Sequence, residues 1–256
     1  MIDKTAIIDP TARIAANVQI GPWTIIGPEV EIGEGTWVGP HVVINGPTKI
    51  GKDNKIYQFA SIGEVPQDKK FRGERTFLEI GDRNVIREFC TFNRGTAQDK
   101  SVTRIGNDNL FMAYVHIAHD CQVGNHTIFA NNASLAGHVI IEDFVVLGGF
   151  AVVAQTCRVG VHSFATGGAA IDKNVPPFVK VSGHYAKPYG LNTVGMKRRG
   201  FAVETMLNLR RAYKVIYRKG LTIKEAVKQL QVMTLECPEI QLFIDFINLS
   251  EQGIVR

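Results

Sequence analysis

The chain has 256 residues, 45% of them apolar and 21% charged, with a net charge of +5. That balance suits one large or two modest soluble domains. No apolar run reaches membrane-spanning length, and Met1 to Pro10 lacks the charged and apolar regions of a signal peptide, which excludes an integral membrane segment and makes the cytoplasm the expected location.

From Ile8 onward every sixth residue is aliphatic or aromatic: Ile14, Ile20, Ile26, Ile32, Val38, Ile44, Ile50, Ile56 and Ile62. The series resumes at Ile80, Ile86 and Phe92, returns at Ile105 and runs unbroken to Val159. A small residue usually follows, as at Gly21, Gly27, Gly33 and Gly51. The side-chain period of a strand is two, so an inward set repeating at six implies short extended segments broken by tight turns. Three segments close one coil, and residues 18 apart lie over one another. The expected architecture is therefore a mainly β solenoid over residues 1 to 189, in which no coil buries its core alone.

Two polar stretches interrupt the count, near 64–79 and near 97–104, and are expected to project as loops, the usual carriers of function on a rigid scaffold. After Val181 the period vanishes, and Gly183 to Gly200 reads as an irregular connection. Residues 190–256 form the expected C-terminal helical domain. Met206, Leu209, Tyr213 and Ile216 give the first helix its stripe, Gly220 stops it, and Thr222 with Glu225 forms a capping box for the second. Pro238 suits the first turn of a third, with Ile240, Phe243, Ile244 and Ile247 buried.

Residues 1 to 189 hold 18 Lys/Arg and 18 Asp/Glu, whereas 190 to 256 hold 11 and 6, so the whole excess of +5 lies in the tail. Its cations, among them Arg210, Arg211 and Lys214, form either a solvated face or a docking surface for an anionic partner. No stacking aromatics interleave with them in a recognised nucleic-acid module, so nucleic acid is not an expected partner. Cys90, Cys121 and Cys157 fall at inward positions as small core residues, the last two being too far apart for a disulfide.

Chemistry concentrates in the second run of hexads. In HIAHDCQVGN, residues 116 to 125, His119 sits off the apolar axis; adding 18 twice gives Gly137 and Gln155, while Asp120, His138 and Thr156 form the next column. An imidazole one coil below a glycine N–H, beside a carboxylate that orients it, is the constellation a general base needs. His126 and His162 share a column with Phe144 between them, too far apart to hold one zinc unless a neighbouring chain supplies ligands. No metal is expected, although a zinc-dependent hydratase built on the same coils stays as an alternative.

HIAHDCQVGN, LAGHV at 135 to 139, QFASIGEVPQDKK at 58 to 70, IGDRNVIRE at 80 to 88, NRGT at 93 to 96 and GLNTVGMKRRGF at 190 to 201 together resemble the UDP-N-acetylglucosamine O-acyltransferase family of lipid A biosynthesis, over essentially the whole chain. The resemblance implies a left-handed parallel β-helix, an exception to the usual crossover hand, assembled as a homotrimer with active sites between subunits. It implies transfer of an (R)-3-hydroxyacyl chain from acyl carrier protein to the sugar 3-hydroxyl. His119 would be the base, Asp120 its partner and the Gly137 N–H the oxyanion donor, with no bound cofactor beyond the carrier's phosphopantetheine. By the same matching, Gln67, Asp68 and Lys70 would contact sugar and donor. His116, His138, Gln155, Asn192 and Arg198 would contact the nucleotide sugar, Arg198 at its diphosphate, and Arg199 the acidic carrier protein. Gly167 would set acyl-chain length. Ala154 and Asn93 stand where many members carry histidine, which leaves a same-fold N-acyltransferase acting on a 3-amino UDP-sugar as a further alternative.

Overall fold

The computed structural model describes residues 1–256 as a three-sided tower with helices packed against its upper end. Each side is one sheet, and each sheet takes every third strand of the coil. The first face runs from Ile7–Ile8 to Ala170–Ile171, the second from Arg13–Ile14 to Arg158–Val159, the third from Gln19–Ile20 up through Phe164–Ala165. Register follows the expected offset: Ile7 pairs with Ile25 and Ile8 with Ile26 in parallel, and Ile117 pairs with Leu135, which pairs with Val153. This is the left-handed parallel β-helix implied above.

The period position of each strand points inward. Ile26, Ile44, Ile62, Phe92, Ile117, Leu135, Val153 and Ile171 stack along the first face, all buried, each contributing about 1.5–3 kcal/mol by removal from water. Polar residues also line the interior at one corner. The amide oxygen of Asn54 accepts from the backbone and side chain of Asn84, and Asn84 in turn accepts from the backbone of Asn109, so each buried amide is matched by the coil above. The corners themselves need left-handed backbone, as at Asp120, His138 and Thr156, with φ of 60°, 62° and 64°. Asp and His are among the residue types that adopt this region most readily.

The two interruptions enlarge single coils without breaking the stack. Ser61 pairs with Thr91, and Thr91 with His116. The first excursion is shorter than the sequence suggests, and the second begins and ends earlier. Ser61–Glu64 and Phe77–Ile80 are strands, so the first loop is 65–76; Val102–Ile105 is a strand on the second face, so the second is 94–101. In each case the polar residues alternate outward from a strand whose inward partners, Leu78 and Thr103, are buried.

The stretch 183–200 is also more regular than expected. Lys187–Leu191 pairs antiparallel with Val179–Ser182 and closes the third face, and it spans the expected division at 189 and 190. Four helices follow: α1 (Thr193–Arg198), α2 (Val203–Tyr217), α3 (Ile223–Met233) and α4 (Gln241–Asn248). Thr222 and Glu225 cap α3 reciprocally. Pro238 opens a 3-10 turn, Pro238–Ile240, that leads into α4. The buried stripes of α2 and α4 join the tower's core as one cluster. The Tyr213 hydroxyl bridges the two parts by accepting from Gly190 N–H and donating to the carbonyl of Pro188.

Candidate active site

The corner between the first and second faces places His119, Asp120, Gly137 and His138 together, because the chain turns there once per coil. His119 Nδ1 lies 2.8 Å from Oδ2 of Asp120. The imidazole is mostly enclosed and the carboxylate fully so, with side-chain exposures of 12% and 0%. With its Nδ1–H held by a carboxylate, the ring presents Nε2 as the basic nitrogen. Burial pushes the Asp120 carboxyl up, but hydrogen bonds from His119 and Thr96 outweigh it and hold it below the usual carboxylate range. Asp120 is therefore ionised at neutral pH.

Gly137 lies directly above the ring. An added Cβ there would come within 2.7 Å of His119 Nε2. The Gly137 carbonyl accepts from Thr156 N–H and that of His119 accepts from His138 N–H, whereas the Gly137 N–H donates to no group of the chain. A backbone donor left free beside a basic nitrogen suits a developing oxyanion.

The remaining histidines occupy neighbouring positions. His138 packs edge-on to His119, ring centroids 5.0 Å apart, and its Nδ1 lies 2.9 Å from Asp99. His116, on the first face, meets the Thr91 hydroxyl through Nδ1 at 2.7 Å. Burial, and then the charge of His119, keep its pKa below the ordinary value, so it is neutral at pH 7. Beside His116 a cavity of about 480 Å³ opens on the first face, walled by Ala136, Val152, Ala154, Ala170 and Tyr185. Its mostly apolar walls suit a hydrocarbon chain.

Ligand atoms of His119, Asp120 and His138 lie within 4.8 Å of one another, a set able to hold a metal ion. His126 and His162 do not join it: they sandwich Phe144, with centroids 4.9 and 4.7 Å apart and planes nearly parallel. The cysteines offer no nucleophile, since burial pushes the thiols of Cys90 and Cys121 up to about 12.

Other sequence-derived candidates lie apart from this cluster. Gln67, Asp68 and Lys70 sit on the 65–76 loop, where Asp68 accepts from the Lys70 backbone, and no hydrogen bond or ion pair joins them to His119 within one chain. Gln155 is exposed one coil above Gly137. Asn192 is buried and caps α1: its oxygen accepts from Gly195 N–H and its amide donates to the carbonyl of His162, which commits its side chain to the fold. Arg198 is exposed, while Arg199 lies over the Phe144 ring at 4.4 Å. Gly167 is exposed, and an added Cβ would meet only the Gly149 carbonyl at 3.4 Å. Asn93 is buried, donating to the carbonyl of Val65.

The structure adds residues that sequence reading missed. Thr96 donates to Asp120 through both its backbone N–H and its hydroxyl, and the hydroxyl of Thr103 accepts from Asp120 N–H. The offset of 18 fails in this coil, where Thr91 stands 25 residues below His116, so the period gives no signal for them. NRGT, the motif containing Thr96, was visible only as part of the resemblance.

Comparison with known proteins shows what the whole chain resembles. The family model described as "Udp N-acetylglucosamine O-acyltransferase; Domain 2" matches residues 174–255, and that for "Bacterial transferase hexapeptide (six repeats)" matches 29–64 and 103–137. The chain is 58% identical to an acyl-[acyl-carrier-protein]–UDP-N-acetylglucosamine O-acyltransferase of Thiobacillus denitrificans, over 100% of this chain and 99% of that one. Among solved structures it resembles LpxA from Acinetobacter baumannii, with a TM-score of 0.98 and 51% identity over 100% of this chain and 99% of that one. It is equally close to the UDP-N-acetylglucosamine O-acyltransferase of Moraxella catarrhalis, with a TM-score of 0.98 and 49% identity at the same coverage.

Proposed function

This chain belongs to the UDP-N-acetylglucosamine O-acyltransferase family, and we propose that His119 and Gly137 are the groups by which it carries out that acyl transfer. It is an acyltransferase that moves an acyl chain from acyl carrier protein to UDP-N-acetylglucosamine, the first step of lipid A biosynthesis. The chain moved is an (R)-3-hydroxyacyl group and the acceptor atom is the sugar 3-hydroxyl.

In the proposed reaction, Nε2 of neutral His119 takes the hydroxyl proton as the sugar oxygen attacks the thioester carbonyl. Charge collects on the former carbonyl oxygen, where the Gly137 N–H meets it. The tetrahedral adduct collapses, the C–S bond breaks, and the departing phosphopantetheine sulfur takes the proton back from the imidazolium. Asp120 steadies that cation throughout. Because thiolate leaves readily, the steps need no metal, no covalent enzyme intermediate and no resident cofactor. The apolar cavity beside His116 accepts the acyl chain, and the bare Cα of Gly167, with open space around it beyond the Gly149 carbonyl, leaves the groove long.

The observation that carries this reading is the His119–Asp120 pair lying under an unused backbone donor. Gln67, Asp68, Lys70, Gln155, Arg198 and Arg199 are proposed to contact sugar, diphosphate or carrier in the assembled enzyme. A homotrimer with sites between subunits is supported by the unequal faces of the tower. The second face alternates charge, with Arg13 paired to Glu31, and Arg104 paired to Glu79 at 2.8 Å. By contrast, the first face exposes Ile7, Ile25 and Val152, and its corner with the third face exposes Trp23, Phe59, Phe89, Tyr114 and Phe150, a patch that a second copy would cover. No helix is long and apolar enough to cross a membrane, and a cytoplasmic location is proposed.

The reading is tested by single-turnover assays pairing UDP-N-acetylglucosamine, or its 3-amino analogue, with carrier-bound hydroxyacyl chains of several lengths. Product with the hydroxyl acceptor, and a fall of at least about a hundredfold in His119→Ala, are the expected results. An unaffected rate in that variant would remove His119 from the reaction.

A further inference from the structure

The geometry points to Thr96 as a positioning residue for the catalytic pair, acting through Asp120; this inference rests on His119 being the base. Oδ2 of Asp120 accepts the Thr96 hydroxyl at 2.6 Å and His119 Nδ1 at 2.8 Å, while Oδ1 accepts the Thr96 N–H at 2.9 Å. One residue thus grips both oxygens of the carboxylate and shares one of them with the imidazole. The torsion that rotates a carboxylate has broad wells. The plane that His119 meets is therefore set by these donors and not by the rotamer of Asp120.

Thr96 is itself held firmly, 1% exposed. Its carbonyl accepts from the N–H groups of Asp99 and Ser101, which closes the 94–101 excursion on itself. Gly95 precedes it with its N–H on the carbonyl of Phe77, and an added Cβ at Gly95 would lie 2.2 Å from the nitrogen of Val102. Arg94 N–H donates to the carbonyl of Glu64. The enlarged coil below His119 therefore lifts one hydroxyl and one amide to the carboxylate from a backbone tied at three points, a reason for the coil to depart from its period here.

Removing the hydroxyl frees the plane of the carboxylate and takes from it a donor that favours its charged form, so protonating it becomes easier. The acid limb of the rate profile therefore moves to higher pH. The charged and titratable groups facing this carboxylate are His119, His138, whose Nε2 is 3.9 Å from Oδ2, Asp99 beyond His138, and His116, which acts on His119.

The test compares Thr96→Val, Thr96→Ala and Thr96→Ser in the intact enzyme, with His119→Ala alongside. The expected result is a fall in kcat of about tenfold in the Val and Ala variants, KM for the sugar nucleotide unchanged, and an acid limb displaced upward, all restored by Ser. Wild-type kcat and pH profile in the Ala variant, while His119→Ala is inactive, would overturn the positioning role and leave the base assignment standing. A loss confined to KM, or a Ser variant as impaired as Ala, overturns it too. Full activity in His119→Ala would instead strike the base assignment itself. The Ala and Ser pair decides the question even if the Val variant does not fold.

Discussion

Gly137 has no room for a side chain, because an added Cβ would lie 2.5 Å from Cε1 of His119 and 2.7 Å from Nε2. The backbone at Gly137 is outside the left-handed region, so its smallness serves the contact and not the turn. A glycine in this position lets the backbone lie against the imidazole and leaves the ring the space it occupies.

Gly137→Ala therefore pushes the ring aside while straining little else. We expect kcat to fall by about a hundredfold, the scale on which a displacement near 1 Å acts in a preorganised site. The melting temperature should stay within a few degrees of the wild type, since the clash is met by a single side chain at a corner of the tower and not by its core. A normal kcat in a well-folded variant would mean that the ring does not need this position.

The tower was legible in the sequence because its inward positions repeat at six, and every such residue from Ile26 to Ile171 on the first face is buried. The column arithmetic likewise placed Gly137 over His119, where an added Gly137 Cβ would come within 2.7 Å of Nε2, and the strands of that coil step by 18, Ile117 pairing with Leu135. What failed lies where the step is not 18. Thr96 and Asp99 reach Asp120 and His138 from a coil enlarged to a step of 25 between Thr91 and His116, and no periodic count finds them. Asn192 shows a role that its motif did not announce. Its oxygen caps α1 and its amide holds the carbonyl of His162, since a helix N-terminus draws a side-chain oxygen to it.

The tail cations lie in a defined groove. Lys197, Arg210, Lys214 and Arg218, with Val203, Leu207 and Tyr213, line a cavity of about 660 Å³ between α2 and the strand Lys187–Leu191. Arg211 is partly engaged with Asn208 at 2.9 Å. The double charge reversal Arg210→Glu with Lys214→Glu should raise KM for the acylated carrier roughly tenfold at low salt, with a smaller effect at high salt, where exposed charges are screened. KM for the sugar nucleotide should not move. A ratio of carrier KM values that is the same at both ionic strengths would show that the groove does not read charge.

Space around Gly167 bears on chain length. Only the Gly149 carbonyl, at 3.4 Å, would touch an added Cβ, so a larger residue fits the fold and projects outward. Gly167→Met should fold normally and shift preference toward shorter acyl donors, by about tenfold in relative kcat/KM when several methylenes are excluded. Competition between two carrier-bound chains of different length, read by mass spectrometry, measures this directly. An unchanged product ratio would place the far end of the acyl chain elsewhere.

His162 should make the fold sensitive to acid. Burial, and then the neighbouring Arg199, bring its pKa down from 6.5 to about 4. Its ring lies parallel between Phe144 and Phe178, at 4.7 and 5.5 Å, and its buried Nδ1 has no partner. In the unfolded chain the same ring titrates near 6.5, so between 6.5 and about 4 the unfolded state binds more protons than the folded one. Stability is then fully present above 6.5 and declines as pH falls through that interval. Phenylalanine fills the same stack without titrating. His162→Phe should therefore lose less melting temperature than the wild type between pH 7 and pH 5. Partial exposure of the ring limits the gap to a few degrees, given roughly 2–4 °C per kcal/mol in a chain of this size. Identical losses in the two proteins would show that the ring's proton equilibrium is not coupled to folding.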